Sequence, residues 1–374
     1  MTTDTRTLAA VRRVVGAAAL DLSGLTVYTE AATGGYAVTA GIAAFAGARR
    51  VYALAGDSPF GSAAAAAEQT LAFAARLEVS DRVLVTRARD PLQLAEADIV
   101  TNSGHVRPLD DAALALLKPT AVVPLMYESW ELRPQDLDLA ACRRRGVAVA
   151  GTDEDHPEVG ILRYLGMMAL KLLLDGAVEV VGSRIAVWSD IKFCRYVAPV
   201  LAAAGAEVLV ACPPSLLGDA RQAANVRHVC GLRDLPAALP AFAGVDAVLL
   251  VMSPAAPVWI GEAGGAVVAA ADLAAVAPGA VVAQYWGQVH RPALSAAGLA
   301  SIPATEPRAH HMGVLPSALG TVPIVRLQAG GLKVGEIMAR ERLAGGSPHA
   351  AVEAAVRAGY GQAVEPAAGE VSHA

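Results

Sequence analysis

The feature that most constrains the fold is an alternation of short runs rich in β-branched residues with longer alanine-rich stretches. The first strand-like run, LTVYT at 25–29, is followed by a helix-like stretch at 36–46. Comparable strand-like runs lie at 50–54, 82–86, 99–102, 121–125 and 147–150. Strands that alternate with helices pair in parallel and carry helices on both faces of the sheet. The alternation therefore predicts an α/β fold built on a doubly wound parallel sheet.

A long helical stretch at Asp155–Asp175 divides this pattern into two halves. Its apolar residues recur every three or four positions, as they do along one face of a helix. Strand-like runs then resume at 184–188, 207–211, 247–252 and 280–284, and further helices are expected at 332–344 and 347–357. We therefore predict two Rossmann-like domains joined by the long helix. The first covers 1–155 and is completed by the C-terminal helices within 330–374, and the second covers 156–329.

Composition excludes several classes of protein. The chain of 374 residues is 55% hydrophobic and 17% charged, whereas disordered chains combine low hydrophobicity with high net charge. We expect neither a membrane span, which needs about 20 consecutive apolar residues, nor a secretory leader. A net charge of −5 without a basic cluster argues against nucleic acid as a partner. The four cysteines have no CxxC spacing, so we expect a reduced, cytoplasmic protein without a metal site. We expect its partner to be a small molecule.

The turn after the first strand, TEAATGGY at 29–36, is a candidate cofactor site. Because it leads from a strand into a helix, the backbone N–H groups of Thr33, Gly34 and Gly35 are placed to bind an anion. The alternative is an ordinary strand–helix turn with a threonine cap and flexible glycines.

The loop TNSGHVR at 101–107 is the leading candidate for substrate binding. Asn102, Ser103 and Gly104 offer hydrogen-bond donors, and Arg107 offers a cation for a carboxylate or phosphate. His105 in the same loop is a candidate catalytic residue. The alternative is a polar loop between a strand and a helix.

Three further segments carry titratable residues. Glu128, flanked by aromatic residues in YESW, is a candidate base, with an exposed glutamate as the alternative. The acids of Asp153–His156 suit a helix cap better than a metal site. Adjacent histidines in a strand point to opposite faces, so one of His310 and His311 can reach a cleft. We take His310 as a candidate general acid and Arg308 as a candidate substrate ligand, with a surface loop as the alternative.

Between about residues 94 and 320 the sequence resembles the D-2-hydroxyacid dehydrogenase fold group. The resemblance is carried by ADIVTNSGHVRPLDDAALALLKPTAVVPL at 97–125, DLDLAACRRRGVAVAGT at 136–152 and ADLAAVAPGAVVAQYWGQVHRPAL at 271–294. It implies NAD or NADP as cofactor, a homodimer, and a loop at 101–107 that holds the substrate carboxylate through backbone N–H groups.

The resemblance also assigns roles to residues that depart from the family pattern. Ser189, Asp190 and Lys192 stand where the family has its GxGxxG turn, so they are candidate cofactor-binding residues. Trp286 stands where the family has a substrate-binding arginine, and Ser317 in GVLPSALG stands where it has a catalytic histidine. Both are candidate substrate-binding residues.

These residues predict a divergent NAD(P)-dependent oxidoreductase that acts on a small carboxylate or amino-acid-like substrate. The missing glycine turn, arginine and histidine favour the alternative of a non-redox biosynthetic enzyme, such as a lyase, cyclase or ligase, on the same scaffold. A ligand-binding protein without chemistry is a third possibility. Serine hydrolases, zinc proteases and P-loop enzymes find no support, because the sequence has no GxSxG, HExxH or Walker motif.

Overall fold

The computed structural model describes residues 5–254, 257–308 and 311–364. The chain forms two compact units. Unit 1 comprises the residues up to Ile161 together with those from Gly320 onwards, and unit 2 comprises Leu162–Leu319. The chain therefore passes between the units twice, once after Ile161 and once after Leu319.

The strands and helices of the described residues are numbered in chain order. The strands are β1 (Thr26–Glu30), β2 (Arg50–Leu54), β3 (Val83–Thr86), β4 (Ile99–Val100), β5 (Val122–Pro124), β6 (Ala148–Thr152), β7 (Arg184–Ser189), β8 (Glu207–Ala211), β9 (Val226–Cys230), β10 (Ala247–Val251), β11 (Val258–Gly261), β12 (Val268–Ala269), β13 (Val281–Trp286), β14 (Gln288–Val289), β15 (Ala300–Ile302) and β16 (Gly361–Ala363). The α-helices are α1 (Thr5–Ala17), α2 (Thr39–Phe45), α3 (Ala63–Arg76), α4 (Pro91–Glu96), α5 (Asp111–Leu114), α6 (Leu139–Arg145), α7 (Leu165–Asp175), α8 (Cys194–Ala203), α9 (Pro214–Leu217), α10 (Leu235–Ala238), α11 (Ala270–Val276), α12 (Arg291–Ala296), α13 (Val322–Leu343) and α14 (Pro348–Arg357).

Unit 1 contains a sheet in the order β16-β6-β5-β4-β1-β2-β3. All its strands are parallel except β16, which pairs antiparallel with β6. Reading the parallel strands by their place in the chain gives the order 3-2-1-4-5-6, which is the order of dinucleotide-binding Rossmann sheets. The winding direction reverses between β1 and β4, so this is where such a sheet binds its ligand.

Unit 2 repeats this topology. Its main sheet has the order β15-β13-β10-β7-β8-β9, all parallel, and a small parallel sheet of β12, β11 and β14 accompanies it. The main sheet is again 3-2-1-4-5-6 when its strands are numbered along the unit. The winding direction here reverses between β7 and β10.

Helix α13 brings the C-terminal part of the chain into the core of unit 1. Ile324, Val325, Leu332 and Met338 of this helix are buried. A small residue lets it lie close to the sheet: a Cβ on Gly335 would lie 2.8 Å from Cγ2 of Ile99 in β4. Burial of this apolar face holds the returning chain against the strands of the first half.

The predicted α/β class with doubly wound parallel sheets is confirmed. The helix predicted over Asp155–Asp175 is present only from Leu165, which corrects its N-terminal part. Pro157 opposes a helix there, and Arg326 of α13 donates hydrogen bonds to the carbonyl oxygens of Pro157 and Val159, at 2.8 and 2.7 Å. These bonds hold the segment before α7 in an irregular conformation.

The short strands β9, β15 and β16 were not predicted. They carry polar or small residues, as in VRHVC, ASI and GQA, so they lack the apolar pattern that marked the central strands. Within the described ranges, no helix combines the length and the apolar character that crossing a bilayer requires.

Candidate functional site

Three loops of unit 1 converge at the point where its winding direction reverses. Glu30 is the last residue of β1 and pairs with Leu54, the last residue of β2, while Tyr28 of β1 pairs with Val100, the last residue of β4. The carboxyl ends of the three strands therefore lie side by side. We call the residues at or just after these strand ends (Glu30, Gly56, Asn102, Gly104 and His105) the unit 1 switch site.

The Glu30 carboxylate packs directly against the backbone of Gly104. A Cβ placed on Gly104 would coincide with Oε2 of Glu30, so no residue with a side chain fits without displacing the carboxylate. Gly104 also has a φ of +40°, a conformation that glycine adopts more readily than other residues. The glycine predicted as a substrate ligand thus makes room for an acid from another strand.

Glu30 is buried without a hydrogen-bonding partner. Its exposed fraction is 8%, and within the described part of the chain neither carboxylate oxygen receives a hydrogen bond. Burial raises the pKa of Glu30 from 4.5 to about 7, and the positive charge of Arg107 offsets part of that rise. A carboxyl group with this pKa exchanges a proton readily near neutral pH.

The imidazole of His105 belongs to the same site. A Cβ on Gly56, just after β2, would lie 2.7 Å from Nδ1 of His105, so the ring occupies space that this glycine leaves free. His105 directly follows Gly104 in the chain and is partly exposed. The structure thereby places the predicted catalytic histidine beside the glycine that Glu30 contacts.

Asn102 and Ser103 occupy the start of the same loop and are buried. Nδ2 of Asn102 donates a 2.7 Å hydrogen bond to the hydroxyl of Tyr127, whereas its Oδ1 has no partner among the described residues. The hydroxyl of Ser103 shares a 2.8 Å hydrogen bond with that of Thr101. Asn102 therefore has one buried acceptor without a partner among the described residues, while Ser103 uses its hydroxyl inside the fold.

The guanidinium of Arg107 forms an ion pair with the carboxylate of Asp136. Its Nη1 lies 3.1 Å from Oδ2 of Asp136, which also receives a 2.8 Å hydrogen bond from Nε of Arg133. Arg107 contributes positive potential at Glu30, but its charge is shared with Asp136 rather than reserved for a substrate carboxylate.

Glu128 has a structural role in place of the predicted role as a base. Its side chain is fully buried, and its two oxygens accept hydrogen bonds from Trp130 Nε1 at 2.7 Å and from Gln362 Nε2 at 3.0 Å. Gln362 lies in β16, so Glu128 joins the loop after β5 to the C-terminal strand. A carboxylate engaged at both oxygens is poorly placed to accept a proton from a substrate.

The turn predicted as a cofactor site lies beside the switch site. Its Thr33 hydroxyl donates a 3.1 Å hydrogen bond to the carbonyl of Phe60, and the Gly34 N–H donates to Oε1 of Gln69 at 2.9 Å. Gly34 has a φ of +64°, and nothing lies within 4 Å of a Cβ placed on it. Gly35 follows within the same short 3₁₀ turn. Hydrogen bonds from Thr33 and Gly34 therefore fix the turn, while the space beside the Cα of Gly34 is open.

The corresponding point in unit 2 is closed by side chains. The Ser189 hydroxyl, at the end of β7, hydrogen-bonds the carbonyl oxygens of Ile191 and Val251 at 2.9 and 2.8 Å. The Asp190 carboxylate accepts hydrogen bonds from the N–H of Ser253 at 2.6 Å and from its hydroxyl at 3.0 Å. Asp190 thus bridges the loops after β7 and β10, between which the winding direction reverses. Lys192, the third predicted residue, is partly exposed in the following turn.

The residues of unit 2 do not fit the dinucleotide that this fold implies. A pyrophosphate needs glycine at the first turn, close backbone N–H groups and no opposing charge. The first turn of unit 2 instead carries Asp190, which brings a negative charge and accepts hydrogen bonds from Ser253. The ribose-binding acid that normally follows the second strand is absent too, because Cys212-Pro213-Pro214 follows β8.

Several predicted substrate ligands lie elsewhere in unit 2. Trp286 is buried against Phe193, with ring centroids 5.9 Å apart. Trp286, Arg308 and His311 line a cavity of about 220 Å³. Ser317 is exposed and is not among the described residues that line this cavity. His310 lies outside the described residues.

The acidic segment before α7 has no helix to cap. Oδ1 of Asp153 accepts a 3.0 Å hydrogen bond from the N–H of Asp155, and His156 stacks on Tyr360 with ring centroids 3.9 Å apart. Among the described residues, no group of three or more histidines, cysteines and acids is arranged to hold a metal ion. The segment therefore fixes the chain locally.

Sequence reasoning missed Glu30 and Gly56. An acid at the end of the first strand, followed by AATGG, was a usable signal for Glu30. Gly56 had a weaker signal, since it follows the second strand within ALAGDSP. Neither position reveals its role without the distant loop that contains Gly104 and His105.

The sequence matches no family model and no curated protein. In structure, the chain is similar to a dipicolinate synthase chain from Bacillus halodurans, with 13% identity and a TM-score of 0.51 over 83% of this chain and 96% of that chain. A dipicolinate synthase chain from Bacillus subtilis has 12% identity and a TM-score of 0.51 over 87% and 99%. D-lactate dehydrogenase with NAD+ from Lactobacillus jensenii has 13% identity and a TM-score of 0.47 over 87% and 98%. The likeness is one of fold, and the predicted divergent D-2-hydroxyacid dehydrogenase-like fold is confirmed.

Proposed function

We propose that this protein is a small-molecule enzyme that works by acid–base chemistry without hydride transfer, with Glu30 as the group that takes and returns the proton. The observation that carries the proposal is the buried Glu30 carboxyl, which receives no hydrogen bond from the described residues and whose pKa burial raises to about 7. Burial that costs stability without an internal partner is typical of a group kept for chemistry.

The chemistry follows from the proton affinity of Glu30. When ionised, its carboxylate removes a proton from a carbon or heteroatom of the substrate. The carboxylic acid so formed returns the proton to another atom of the same molecule, which completes an isomerisation without a change of redox state. His105, which follows Gly104 in the same loop, is our candidate for the second proton carrier.

The switch site also favours a substrate that donates hydrogen bonds. Oδ1 of Asn102 is a buried acceptor without a partner among the described residues, and the ionised Glu30 is another acceptor. An amino or hydroxyl group of the substrate supplies the ionised Glu30 with a donor. This favours a small amino-acid-like compound over one recognised only by its carboxylate, because Asp136 already holds Arg107.

An NAD(P)-dependent oxidoreductase is the second candidate. The strand order of unit 2, which is that of dinucleotide-binding sheets, favours it. The bridge between Asp190 and Ser253 opposes it. Thermal unfolding with saturating NAD(H) or NADP(H) separates the two candidates, since binding to the folded state raises the melting temperature.

Hydrogen exchange tests the acid–base proposal directly. The protein is incubated in D₂O with a panel of amino-acid-like compounds and no dinucleotide, and deuterium at carbon is followed by NMR. We expect exchange into at least one compound, slowed about 100-fold in Glu30→Gln. Glu68→Gln is the matched control, because Glu68 is an exposed glutamate of α3. Exchange that is unaffected by Glu30→Gln, or turnover that requires a dinucleotide, contradicts the proposal.

Homodimerisation stays a prediction from the sequence resemblance. Light scattering on the purified protein checks it, and a mass near the 38.1 kDa of one chain would contradict it.

A further inference from the structure

We infer that unit 1 binds a ribonucleoside whose 5′ substituent is uncharged or cationic, with the ribose diol on Asp57 and the 5′ substituent over the turn at Thr33–Tyr36, beside Glu30. Only the 5′ substituent reaches the unit 1 switch site, where it is the part that carries the amino or hydroxyl group of the proposed substrate, and in that respect the inference rests on the proposed function. Asp57 belongs to neither the proposed acid–base chemistry nor the predicted cofactor turn.

The first argument is topological. A sheet of order 3-2-1-4-5-6 binds nucleotides over the turn that follows its first strand, and an acid after the second strand accepts the ribose hydroxyls. Unit 1 has glycines in the first position, at Gly34 and Gly35, and an acid in the second, at Asp57. Asp57 follows the glycines at the spacing of about 20 residues that such acids have.

The second argument is that the two loops are built as one surface. Thr33 donates its hydroxyl hydrogen bond to the carbonyl of Phe60, at 3.1 Å, and a Cβ on Gly61 would lie 2.8 Å from the methyl group of Thr33. Oδ1 of Asp57 accepts a 2.7 Å hydrogen bond from the N–H of Ala63, at the start of α3. This bond orients the carboxylate and leaves its other oxygen for a ligand.

The Phe60 ring supplies an apolar surface near Asp57. Its exposed fraction is 69%, which is high for a large aromatic side chain in the loop after β2. Aromatic rings stack on nucleobases through dispersion and the hydrophobic effect, whatever the base. The loop after β2 thus offers a surface for the base and an acceptor for the ribose.

The charge around the first turn decides what the 5′ substituent is. Burial is the main reason that the pKa of the Tyr36 hydroxyl is raised to about 12. The carboxylates of Glu30, Glu154 and Glu131 lie close enough to add to this rise. Arg107 is the cation that acts in the opposite direction on the same hydroxyl. An excess of carboxylates repels a pyrophosphate and attracts a cation.

An unpartnered buried group marks the position that the substituent takes. Glu30 is more than nine-tenths buried, and its oxygens receive no hydrogen bond within the described part of the chain. A cationic or hydrogen-bond-donating substituent supplies the missing partner, whereas a phosphate would add a second anion against it.

Among its described residues, unit 2 lacks the glycines of the first turn and the acid after the second strand, in spite of the identical strand order of its main sheet. Asp190 and Ser253 close the point where its winding direction reverses, and Cys212-Pro213-Pro214 replaces the ribose-binding acid. The comparison within one chain therefore assigns the nucleoside to unit 1.

Calorimetry on the full chain tests the assignment with four probes: adenosine, 2′-deoxyadenosine, S-adenosylmethionine and NAD+. We expect adenosine and S-adenosylmethionine to bind, 2′-deoxyadenosine to bind about tenfold more weakly, and NAD+ to bind weakest. Asp57→Asn should weaken adenosine about tenfold and abolish the preference for the 2′-hydroxyl. The new amide keeps an oxygen for the N–H of Ala63, so the fold is preserved.

Asp219→Asn, at an exposed aspartate of unit 2, is the matched control and should leave all four affinities unchanged. Binding of NAD+ as tight as that of adenosine, no binding of any probe, or adenosine binding unaffected by Asp57→Asn would each overturn the inference. None of these outcomes alters the deuterium exchange at Glu30. Conversely, nucleoside binding with no effect of Glu30→Gln on exchange leaves the inference standing and removes the proposed acid–base role.

Discussion

The main sheets of the two units have the same strand order, and each has an acid where the winding direction reverses. The two acids differ in whether their carboxylates accept hydrogen bonds. In unit 2 the Asp190 carboxylate accepts two hydrogen bonds from Ser253 and ties two loops together. In unit 1 the Glu30 carboxylate is buried against a glycine, and its oxygens receive no hydrogen bond from the described residues. Topology alone therefore does not decide where a Rossmann-like unit keeps its chemistry.

The difference comes from the groups that face the acid from the loop after the fourth strand of each unit's main sheet. In unit 2 this loop presents a serine hydroxyl and a backbone N–H to Asp190. In unit 1 it presents the bare Cα of Gly104 to Glu30, and a histidine follows. Satisfied carboxylates stabilise a fold, whereas unsatisfied buried ones cost stability and keep their proton affinity for a ligand. The comparison thus separates a structural site from a reactive one.

Gly104→Ala should have the largest effect, because the new methyl group would coincide with the Glu30 carboxylate. We expect a loss of about 3–5 kcal/mol in the free energy of unfolding, measured by urea denaturation. Gly264→Ala is the control, since Gly264 also has a positive φ but nothing lies within 4 Å of its Cβ position. The control should lose about 1 kcal/mol. Equal losses at the two positions would mean that Glu30 and Gly104 are not in close contact.

The pH dependence of stability should distinguish Glu30 next. Its folded pKa, about 7, lies above the ordinary value of 4.5, so between these values the folded state binds more protons than the unfolded state. Stability should therefore fall as pH rises from about 4.5 to about 7, by on the order of 3 kcal/mol from this group. Urea denaturation at several pH values measures the slope.

Glu30→Gln removes the titrating group, so this variant should lose that part of the slope and be more stable than the wild type above pH 7. Glu68→Gln, at an exposed glutamate, should keep the wild-type slope. If Glu30→Gln keeps it as well, the carboxylate of Glu30 is solvated or paired, and the contrast with Asp190 disappears.

The fold was largely predictable because the central strands carry their own signal. Arg50–Leu54 and Glu207–Ala211 were predicted to the residue, since both are apolar runs with clear ends. The N-terminal part of the helix predicted from Asp155 was wrong, because its backbone is held by Arg326, far along the chain. Local periodicity does not report such distant bonds.

The candidate site was predictable only in its loops. Gly34, Gly104 and His105 were candidates because they follow strands and offer backbone N–H groups or a titratable side chain, and their roles stay predictions. Glu30 was missed, since a glutamate at a strand end is usually solvated, and its burial depends on a glycine more than 70 residues away. Glu128 was taken for a base because its partner Gln362 lies 234 residues further along.

The smallest expected effect concerns the bridge in unit 2. Asp190→Ala removes both hydrogen bonds to Ser253 and should cost about 1–2 kcal/mol, and Ser253→Ala removes only the one from the hydroxyl and should cost about 1 kcal/mol. The double variant should cost less than the sum, because the two residues share one interaction. Urea denaturation of the four proteins gives the coupling energy. Additive losses would show that the bridge does not stabilise unit 2. Tight NAD+ binding by Asp190→Ala would then indicate that the Asp190 carboxylate excludes the dinucleotide from unit 2.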